Sequence, residues 1–417
     1  MEGRYVRKTV SRNIAVVGLA LLAISFLFFS GTGYSQTKMK EVKIGAVYPM
    51  TGPTGSFGQV IMRGWDIAVE EINAEGGIKS LGGASLKTVL ADTEGTPRVG
   101  MTQVEKIAMN KEIPIIAGCW ASAVTYPVTQ VSEQYRLPHL VGIATQVDIM
   151  RRGFKYVFRY ALPTDGSGRN VVDFVEYQAK KAGRTVNRAA LMTVDDNFGR
   201  DTAKWIKKAL ERTNQKIVAE IYHPLKATTL DVEVAQVKAA NPDVIYGTAF
   251  LYDGALLTKT LRTQGVKPQG IVLLGGNSNP EYLKLVGNQA EHFFGQFKFD
   301  TDLNKPDLAE FDAKLVKRHG HHGDPFSATG YGLVYLIRDV LERAGTIDRE
   351  KVRDALASTN ITSGKALALP GAFVRFDQNG ENLGAREHIS QVLNGSWHSV
   401  WPMDMPRKYE AVWPMPK

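Results

Sequence analysis

The sequence contains a single cysteine, Cys119, among 417 residues. An intramolecular disulfide is therefore excluded, and the fold must rest on its hydrophobic cores. Dense basic runs are missing too, because lysines and arginines alternate with acidic residues. The formal charge of +9 therefore does not indicate nucleic-acid binding. P-loop, G-x-S-x-G and Cys–His patterns are absent, and we predict no catalytic residues, no enzymatic activity and no cofactor.

Long apolar runs are confined to one place near the N-terminus. Basic residues between positions 4 and 12 precede an almost wholly apolar stretch from Ile14 to Phe29, and small residues follow up to Ser35. This order predicts a secretory signal peptide at residues 1–35 and a periplasmic mature protein. An uncleaved membrane anchor is the alternative, because the apolar run approaches the minimum length of a spanning helix. The cleavage region has no cysteine that could carry a lipid.

The stretch from Val42 to Gly77 is the most informative part of the chain. An apolar run ends at Val47, a loop rich in Pro, Gly, Thr and Ser follows, and an amphipathic helical pattern closes at Gly76 and Gly77. The pattern indicates a strand, a loop and a helix, the start of a βαβ unit. Such loops lie at the carboxyl ends of parallel strands, where open α/β sheets bind their ligands.

Similar strand–helix units continue to about residue 392, which predicts an α/β fold with mainly parallel sheets flanked by helices. The chain after residue 35 exceeds what one hydrophobic core usually serves, so we expect two lobes. We assign residues 36–160 and 295–345 to lobe 1, and residues 161–294 and 346–392 to lobe 2. A Trp/Pro-rich tail spans residues 393–417. Residues 373–376 and 388–392 are expected to pair as a hairpin.

Several motifs occur in a fixed order along the chain. They are I-G-A-V-Y-P-M-T-G-P, G-W-D-I-A-V-E-E-I-N-A-E-G-G-I, D-D-N-F-G, K-A-A-N-P-D-V-I and L-G-G-N-S. With them the chain resembles the type I periplasmic binding proteins, and among these the branched-chain amino-acid class that feeds ABC importers. The resemblance extends from about Val42 to Phe376 and implies two α/β lobes joined by three hinge crossovers.

This resemblance also implies a function and its partners. A small-molecule ligand, an amino acid or an organic acid, would be captured between the lobes by hinge closure. It would then be delivered to an ABC permease in the inner membrane, and the binding protein would act as a monomer without nucleic acid. A binding protein that senses its ligand for a membrane receptor is the alternative, and the sequence does not separate the two.

The ligand carboxylate is expected at two neighbouring loops. Ser122 begins a predicted helix, where N–H groups and the helix dipole favour an anion. Ala144 and Thr145 end the adjacent predicted strand. The resemblance implies that Ser122 and Thr145 hold the carboxylate. For Ser122, a plain helix N-cap is the alternative role.

The resemblance also places aromatic side chains around the body of the ligand. The matching positions, each just after a predicted strand, are Phe57, Trp120, Phe198 and Phe250, with Tyr252 as a weaker candidate. Ligand pockets are generally apolar with a few polar anchors, which suits this set.

Asn277 is the position that departs from the family pattern. Family members that bind α-amino acids commonly carry an acid there, which pairs with the ligand ammonium, whereas this chain has an amide. Because a buried ammonium without a charged partner is costly, either Asp253 or Glu281 replaces the acid or the ligand has no α-amine. We favour a carboxylate ligand without an α-amine, aromatic or branched.

Three other groups invite a functional interpretation that we do not adopt. The histidines at positions 319, 321 and 322 lie in a polar, Gly-containing loop, and we expect no metal there. Asp377 begins a turn that lacks the later glutamate of a calcium loop. Asp195 and Asp196 form a carboxylate pair with no nucleophile nearby.

Overall fold

The computed structural model describes residues 39–299, 301–303 and 305–416. The predicted signal peptide, residues 1–35, lies outside these described residues. Within the described part of the chain, no helix has the length and apolarity that crossing a membrane requires.

The first lobe is built on a parallel sheet. Its strands in the described residues are β1 (Glu41–Tyr48), β2 (Ser85–Asp92), β3 (Ile116–Gly118), β4 (His139–Val141) and β5 (Val157–Arg159). Three helices follow the first three strands: α1 (Gly55–Ala74), α2 (Pro97–Met109) and α3 (Ser122–Gln134). The strand order is β2-β1-β3-β4-β5, with every pair parallel. Strands β3, β4 and β5 are wholly buried, including the polar side chains of His139 in β4 and Arg159 in β5.

The second lobe repeats this arrangement and extends it. Its strands are β6 (Arg188–Val194), β7 (Lys216–His223), β8 (Val244–Ala249), β9 (Gly270–Gly275), β10 (Phe294–Phe297), β13 (His388–Leu393) and β14 (Ser396–Trp401). Its helices are α4 (Thr164–Lys181), α5 (Asn197–Leu210), α6 (Asp231–Ala240), α7 (Leu251–Thr263) and α8 (Glu281–Val286). The parallel part, β7-β6-β8-β9-β10, has the strand order of the first sheet, and β13 and β14 add antiparallel strands beside β10.

After β10 the chain returns to the first lobe. The returning elements are α9 (Ala309–His319), α10 (Pro325–Ala344), α11 (Arg349–Ala357), β11 (Asn360–Ile361) and β12 (Val374–Arg375). Helix α10 packs backbone to backbone on α1. A Cβ atom at Gly64 would lie 1.8 Å from the Ser327 carbonyl oxygen, and one at Gly330 would lie 2.2 Å from that of Ile61. Glycine is therefore required at both positions.

The lobe assignment of two segments differs from the expectation. Helix α11, within the segment 346–392 assigned to lobe 2, packs on the first lobe. The Arg349 guanidinium donates to the carbonyls of Ala108, Asn110 and Ile113 at 2.8–3.1 Å. The positive charge of Arg349 is favourable here because the C-terminal end of helix α2 carries a partial negative charge. Strand β10 begins at Phe294 and lies wholly in the second sheet, although residue 295 was expected to start a lobe 1 segment. The remaining lobe limits stay predictions.

The expected hairpin between residues 373–376 and 388–392 is wrong. Strand β12 pairs with β11, whereas β13 pairs with β10 and β14. The hairpin partner of β13 lies in the segment predicted as tail. The two-residue turn between β13 and β14 is Asn394-Gly395, with φ of +55° and +75°. Asn-Gly is the preferred sequence of a type I′ hairpin turn, so the signal was present in the sequence. Farther along, Trp413 packs on Phe174 and Phe294 of the second lobe.

The chain crosses between the lobes three times: after β5, after β10 and before β13. Arg159, the last residue of β5, is fully buried and ties two of these crossovers together. Its Nε donates to Glu381 Oε2 of the third crossover at 2.9 Å. Its Nη1 donates to the Gln146 carbonyl at 2.7 Å.

Candidate functional site

A cavity lies between the lobes at the carboxyl ends of the parallel strands. It encloses about 710 Å³, including the part that opens to solvent. The strand order reverses between β1 and β3 in one sheet and between β6 and β8 in the other. Such switch points are where open α/β sheets bind ligands. Six residues predicted from sequence line the cavity: Trp120, Ser122, Ala144, Thr145, Phe198 and Phe250.

The two predicted carboxylate contacts lie together on the first lobe. Ser122 is the first residue of α3, and its Oγ accepts a hydrogen bond from the Gln146 N–H at 3.4 Å. The helix N-cap is Ala121, whose side chain cannot satisfy the first N–H groups of α3. Thr145 is 5% exposed, and its Oγ1 has no hydrogen-bond partner among the described residues. The site therefore combines a helix N-terminus with an unused buried hydroxyl.

Aromatic rings from both lobes form the apolar walls. Trp120 of the first lobe and Phe250 of the second have ring centroids 5.0 Å apart. Phe198 stacks near Phe250 at 6.0 Å. Phe326, at the start of α10, lines the cavity as well, which the sequence did not indicate. These rings bring the two lobes into contact across the cleft.

Phe57 lies behind this wall and is not among the residues that line the cavity. Its ring stacks on Trp120 with centroids 4.1 Å apart and an interplanar angle of 17°. It also meets Phe326 edge-on at 5.1 Å. Trp120 has a φ of +86°, in the left-handed region that disfavours large side chains. Phe57 thus supports a wall residue held in a strained backbone conformation.

Asn277 is not among the residues that line the cavity. Its buried side chain donates from Nδ2 to the Leu273 carbonyl at 3.2 Å. The same nitrogen would lie 2.4 Å from a Cβ atom at Gly295, so the amide packs against β10. Its neighbour Ser278 lines the cavity instead. The Oδ1 of Asn277 is buried and has no hydrogen-bond partner among the described residues.

The two acids considered as substitutes for Asn277 have other partners. Asp253 is buried and accepts the Phe250 N–H at 3.1 Å, capping α7, and burial raises the pKa of its carboxyl. Glu281 pairs with Lys284 on the surface at 2.9 Å. Tyr252 is 62% exposed and does not line the cavity.

Sequence reasoning missed a polar cluster on the cavity wall. Glu387, 5% exposed, accepts a hydrogen bond from Ser167 Oγ at 2.7 Å and one from Gln296 Nε2. The ammonium of Lys298 lies 2.9 Å from Glu387 Oε1. Ser167, Gln296, Lys298 and Glu387 all line the cavity. Each stands in or beside a crossover, away from the predicted strand-end motifs.

The carboxylate pair and the histidine group, for which the sequence predicts no function, have structural partners. Asp196 caps α5 by accepting the Gly199 N–H at 2.9 Å, and burial raises its pKa to about 6. Asp195 pairs with Arg200 at the surface. His322 pairs with Asp312 at 2.8 Å. Among the described residues, no cluster of His, Cys, Asp and Glu could hold a metal ion.

The single cysteine and the Asp377 turn are also structural. Cys119 is buried in the core of the first lobe, and burial raises the pKa of its thiol. A thiol in that state is a poor nucleophile. Asp377 accepts the N–H groups of Asn379 and Glu381 at 2.8 and 2.9 Å, which closes a turn.

Known proteins share this architecture. A family model described as periplasmic binding protein matches residues 41–385. The Leu/Ile/Val-binding protein homolog 7 of Brucella abortus (strain 2308) is 26% identical over 375 residues, covering 87% of this chain and 92% of the relative. The branched-chain amino-acid transporter substrate-binding protein of Streptococcus pneumoniae, solved with isoleucine, has a TM-score of 0.77 at 19% identity. That match covers 90% of this chain and 100% of the other.

A solute-binding protein of an ABC transporter from R. palustris, solved with benzoate, has a TM-score of 0.73 at 18% identity. The match covers 89% of this chain and 99% of that one. Because the family model spans most of the chain, the protein belongs to the periplasmic binding protein family. The solved structures share its two-lobed fold.

Proposed function

We propose that this protein is the extracytoplasmic substrate-binding component of an ABC importer of the branched-chain amino-acid type. It captures a small carboxylate-bearing solute between its lobes by hinge closure. One observation carries the proposal: the cavity joins the helix N-terminus at Ser122 and the unpartnered Thr145 hydroxyl to the aromatic rings of the facing lobe. Preorganised donors in an apolar enclosure are what a buried carboxylate needs.

Within this class we infer a ligand without an α-amine, aromatic or branched. The acid that could meet an ammonium from the cavity wall, Glu387, is already paired with Lys298. Asp253 and Glu281 have partners of their own. The rings of Trp120 and Phe250 suit a flat or branched apolar body. Isoleucine and benzoate, named for two structural neighbours, both carry the carboxylate this site would hold.

The proposed route places the protein in the periplasm after removal of residues 1–35, with an inner-membrane ABC permease as its partner. The family and its ABC-transporter neighbours support this assignment. The proposed role is binding without catalysis, and the buried Cys119 thiol supports it. The mass of the mature protein in a periplasmic extract would test cleavage after Ser35.

Ligand identification tests the function most directly. Denaturing the purified protein and analysing what it releases by mass spectrometry should yield a carboxylate. Calorimetry with benzoate, 4-methyl-2-oxopentanoate and leucine should then give saturable binding of a carboxylic acid. Failure to bind any carboxylate would contradict the proposed function, whereas tight binding of leucine alone would keep the function and reject the preference for ligands without an amine.

A further inference from the structure

The loop that carries Thr145 in the first lobe is held by helix α5 of the second lobe. The Val147 N–H donates to Asp201 Oδ2 at 2.9 Å. The Gln146 side chain accepts a hydrogen bond at Oε1 from Asn197 Nδ2 at 3.2 Å. Asn197 and Asp201 are four residues apart, so they lie on one face of α5. This face therefore holds the two residues that directly follow the candidate ligand contact Thr145.

The same face of α5 extends the contact by another turn. Trp205 lies four residues after Asp201, and the Arg151 guanidinium of the first lobe lies 5.5 Å from the centre of its ring. This distance allows cation–π attraction. The Arg151 guanidinium also lies 3.5 Å from the carboxylate of Asp165 in α4. The first-lobe segment from Gln146 to Arg151 is therefore bound to the second lobe at both of its ends.

Asp201 is at the centre of this contact and is buried, with 7% of its surface exposed. Its Oδ2 accepts the hydroxyl of Thr164, at the start of α4, as well as the Val147 N–H. Thr164 and Val147 are buried too. A carboxylate withdrawn from water needs such donors, and the loss of one leaves a buried acceptor short of a partner. One of these donors belongs to each lobe, so full pairing of Asp201 depends on both lobes.

The N-terminal end of α5 also forms part of the cavity. Phe198, between Asn197 and Asp201, lines the cavity from the second lobe, and Thr145 lines it from the first. Any rotation of the lobes that carries Phe198 away from the ligand also moves Asp201, because both belong to one helix. Such a rotation would strain the hydrogen bond to Val147 and release a restraint on the Thr145 loop.

We propose that Asp201 is a positioning residue for the ligand: from the second lobe it fixes the loop that presents the Thr145 hydroxyl, and it thereby slows the release of a bound carboxylate. This inference rests on the proposed function, capture of a carboxylate in the cleft. It deepens that function by naming a residue that does not line the cavity and acts on the ligand through the loop.

Dissociation rates of Asp201 variants test this role. The probe is whichever of benzoate, 4-methyl-2-oxopentanoate and leucine binds the unmodified mature protein most tightly, followed by stopped-flow tryptophan fluorescence. Asp201→Ala removes the acceptor and should speed dissociation about 10-fold. Asp201→Asn keeps an oxygen acceptor at the same place and should restore most of the slow release. Asp173→Ala, which removes a carboxylate paired with Arg212 at the surface, is the control and should leave the rate unchanged.

The same hydrogen bond can be cut from the first lobe. Val147→Pro removes the N–H donor, and proline suits this position because Val147 begins a short 3₁₀ turn. Gln146 has a ψ of +125°, in the range that a residue before proline adopts. This variant should speed dissociation as much as Asp201→Ala does, and it decides the question if Asp201→Ala does not fold. An unchanged dissociation rate in either folded variant would overturn the inference.

A double-mutant cycle shows whether Asp201 acts through the Thr145 loop. Asp201→Ala should speed dissociation less in a Thr145→Val protein than in the unmodified protein, because the hydroxyl that Asp201 positions is already gone. An equal effect in both proteins would overturn the positioning role.

The outcomes also separate this inference from the proposed function. A protein that binds none of the three acids loses both. A protein that binds one of them, and releases it at the same rate in the Asp201→Ala and Val147→Pro variants, retains the proposed function and loses the inference. Faster release in both variants, with recovery in Asp201→Asn, supports both.

Discussion

Glu71 in the first lobe and Glu387 at the cleft are both more than nine-tenths buried, yet their surroundings differ. Glu71 meets the ammonium groups of Lys314 and Lys365, each at 2.8 Å, and the hydroxyls of Tyr331 and Tyr335 at 2.7 and 2.6 Å. These partners belong to the first lobe and occupy both carboxylate oxygens. The network joins α1 to α9 and α10, and it is complete without any other molecule.

Glu387 has a cation, an amide and a hydroxyl as partners, but the amide of Gln296 keeps one buried acceptor unpaired. Thr145, on the same cavity, keeps an unpaired hydroxyl. A saturated network stabilises the folded protein, whereas an unsaturated one costs stability until something binds. The comparison separates a carboxylate that holds the lobe together from one placed to meet a ligand.

The largest expected effect comes from breaking the saturated network. Burial would raise the pKa of Glu71, but its lysine and tyrosine partners lower it to about 2, so the carboxylate is charged at neutral pH. Glu71→Gln would leave Lys365 without its anion and Lys314 with Glu310 alone, and it should cost about 3 kcal/mol of unfolding free energy, measured by urea denaturation. Benzoate affinity of the folded variant should not change.

The matched control is Glu70→Gln, an exposed residue paired with Arg318 at the surface, which should cost less than about 1 kcal/mol. The sign of the pH dependence follows from the lowered pKa of Glu71. Its contribution is full above the unfolded pKa of 4.5 and is lost as the pH falls towards 2. The stability gap between wild type and Glu71→Gln should therefore close in acid, and a gap that widened there would contradict this account.

The next largest effect concerns the cleft, where polar side chains keep unpaired hydrogen-bonding atoms. Thr145→Val keeps the shape of the side chain and removes the unpartnered hydroxyl. Losing a hydrogen bond to a ligand carboxylate should weaken binding about 10- to 150-fold, or roughly 1.5–3 kcal/mol, by calorimetry. Stability should be unchanged or slightly higher. Thr102→Val, on the exposed face of α2, is the control, and unchanged affinity in Thr145→Val would place the ligand elsewhere.

A smaller effect is expected at Asn277. Asn277→Asp would put a carboxylate beside the Leu273 carbonyl in place of a donated hydrogen bond. It should cost about 1–3 kcal/mol of unfolding free energy at neutral pH, and less in acid as the new carboxyl protonates. Asn288→Asp, at an exposed position, should be nearly neutral. Because Asn277 does not line the cavity, affinity should change little, and a large change in either direction would show that this residue reaches the ligand.

The smallest signal is the change of overall shape on binding. If the cleft closes around the ligand, small-angle scattering should give a smaller radius of gyration with saturating benzoate than without it. Thr145→Val at the same benzoate concentration should show less of this decrease. The Glu71 network lies within one lobe, so Glu71→Gln should leave the decrease intact. An unchanged radius in wild type despite measured binding would contradict closure.

Local sequence patterns predicted most of the fold because they report local structure. The amphipathic pattern that closes at Gly76 and Gly77 is helix α1, Gly55–Ala74, in the structure. The strand-end positions of Trp120, Ser122, Thr145, Phe198 and Phe250 followed from the same patterns and from the family resemblance, and they converge on one cavity. The carboxyl ends of parallel strands lie at the same end of a sheet, so the residues that follow these strands lie close together.

The parts of the fold and of the site that the sequence did not predict depend on the paths of irregular segments. Gln296 lies in β10 and Glu387 directly precedes β13, so these residues, far apart in sequence, meet because the two strands pair, which no periodicity records. Asn277 follows β9, as predicted, but its buried amide bonds to the Leu273 carbonyl and it does not line the cavity. The predicted hairpin between residues 373–376 and 388–392 is wrong because the turn signal, Asn394-Gly395, lies in the segment predicted as tail.

Arg159 couples the ligand-facing loop to the hinge mechanically. The backbone of residues 144–146, which carries Thr145, accepts hydrogen bonds from this guanidinium at Ala144 and Gln146. The same guanidinium is bound to Glu381, while its own residue begins the first crossover. A displacement of the loop is therefore transmitted to two of the three connections between the lobes. If the cleft closes on its ligand, the buried Arg159 side chain would make the ligand-facing loop and these two connections move together.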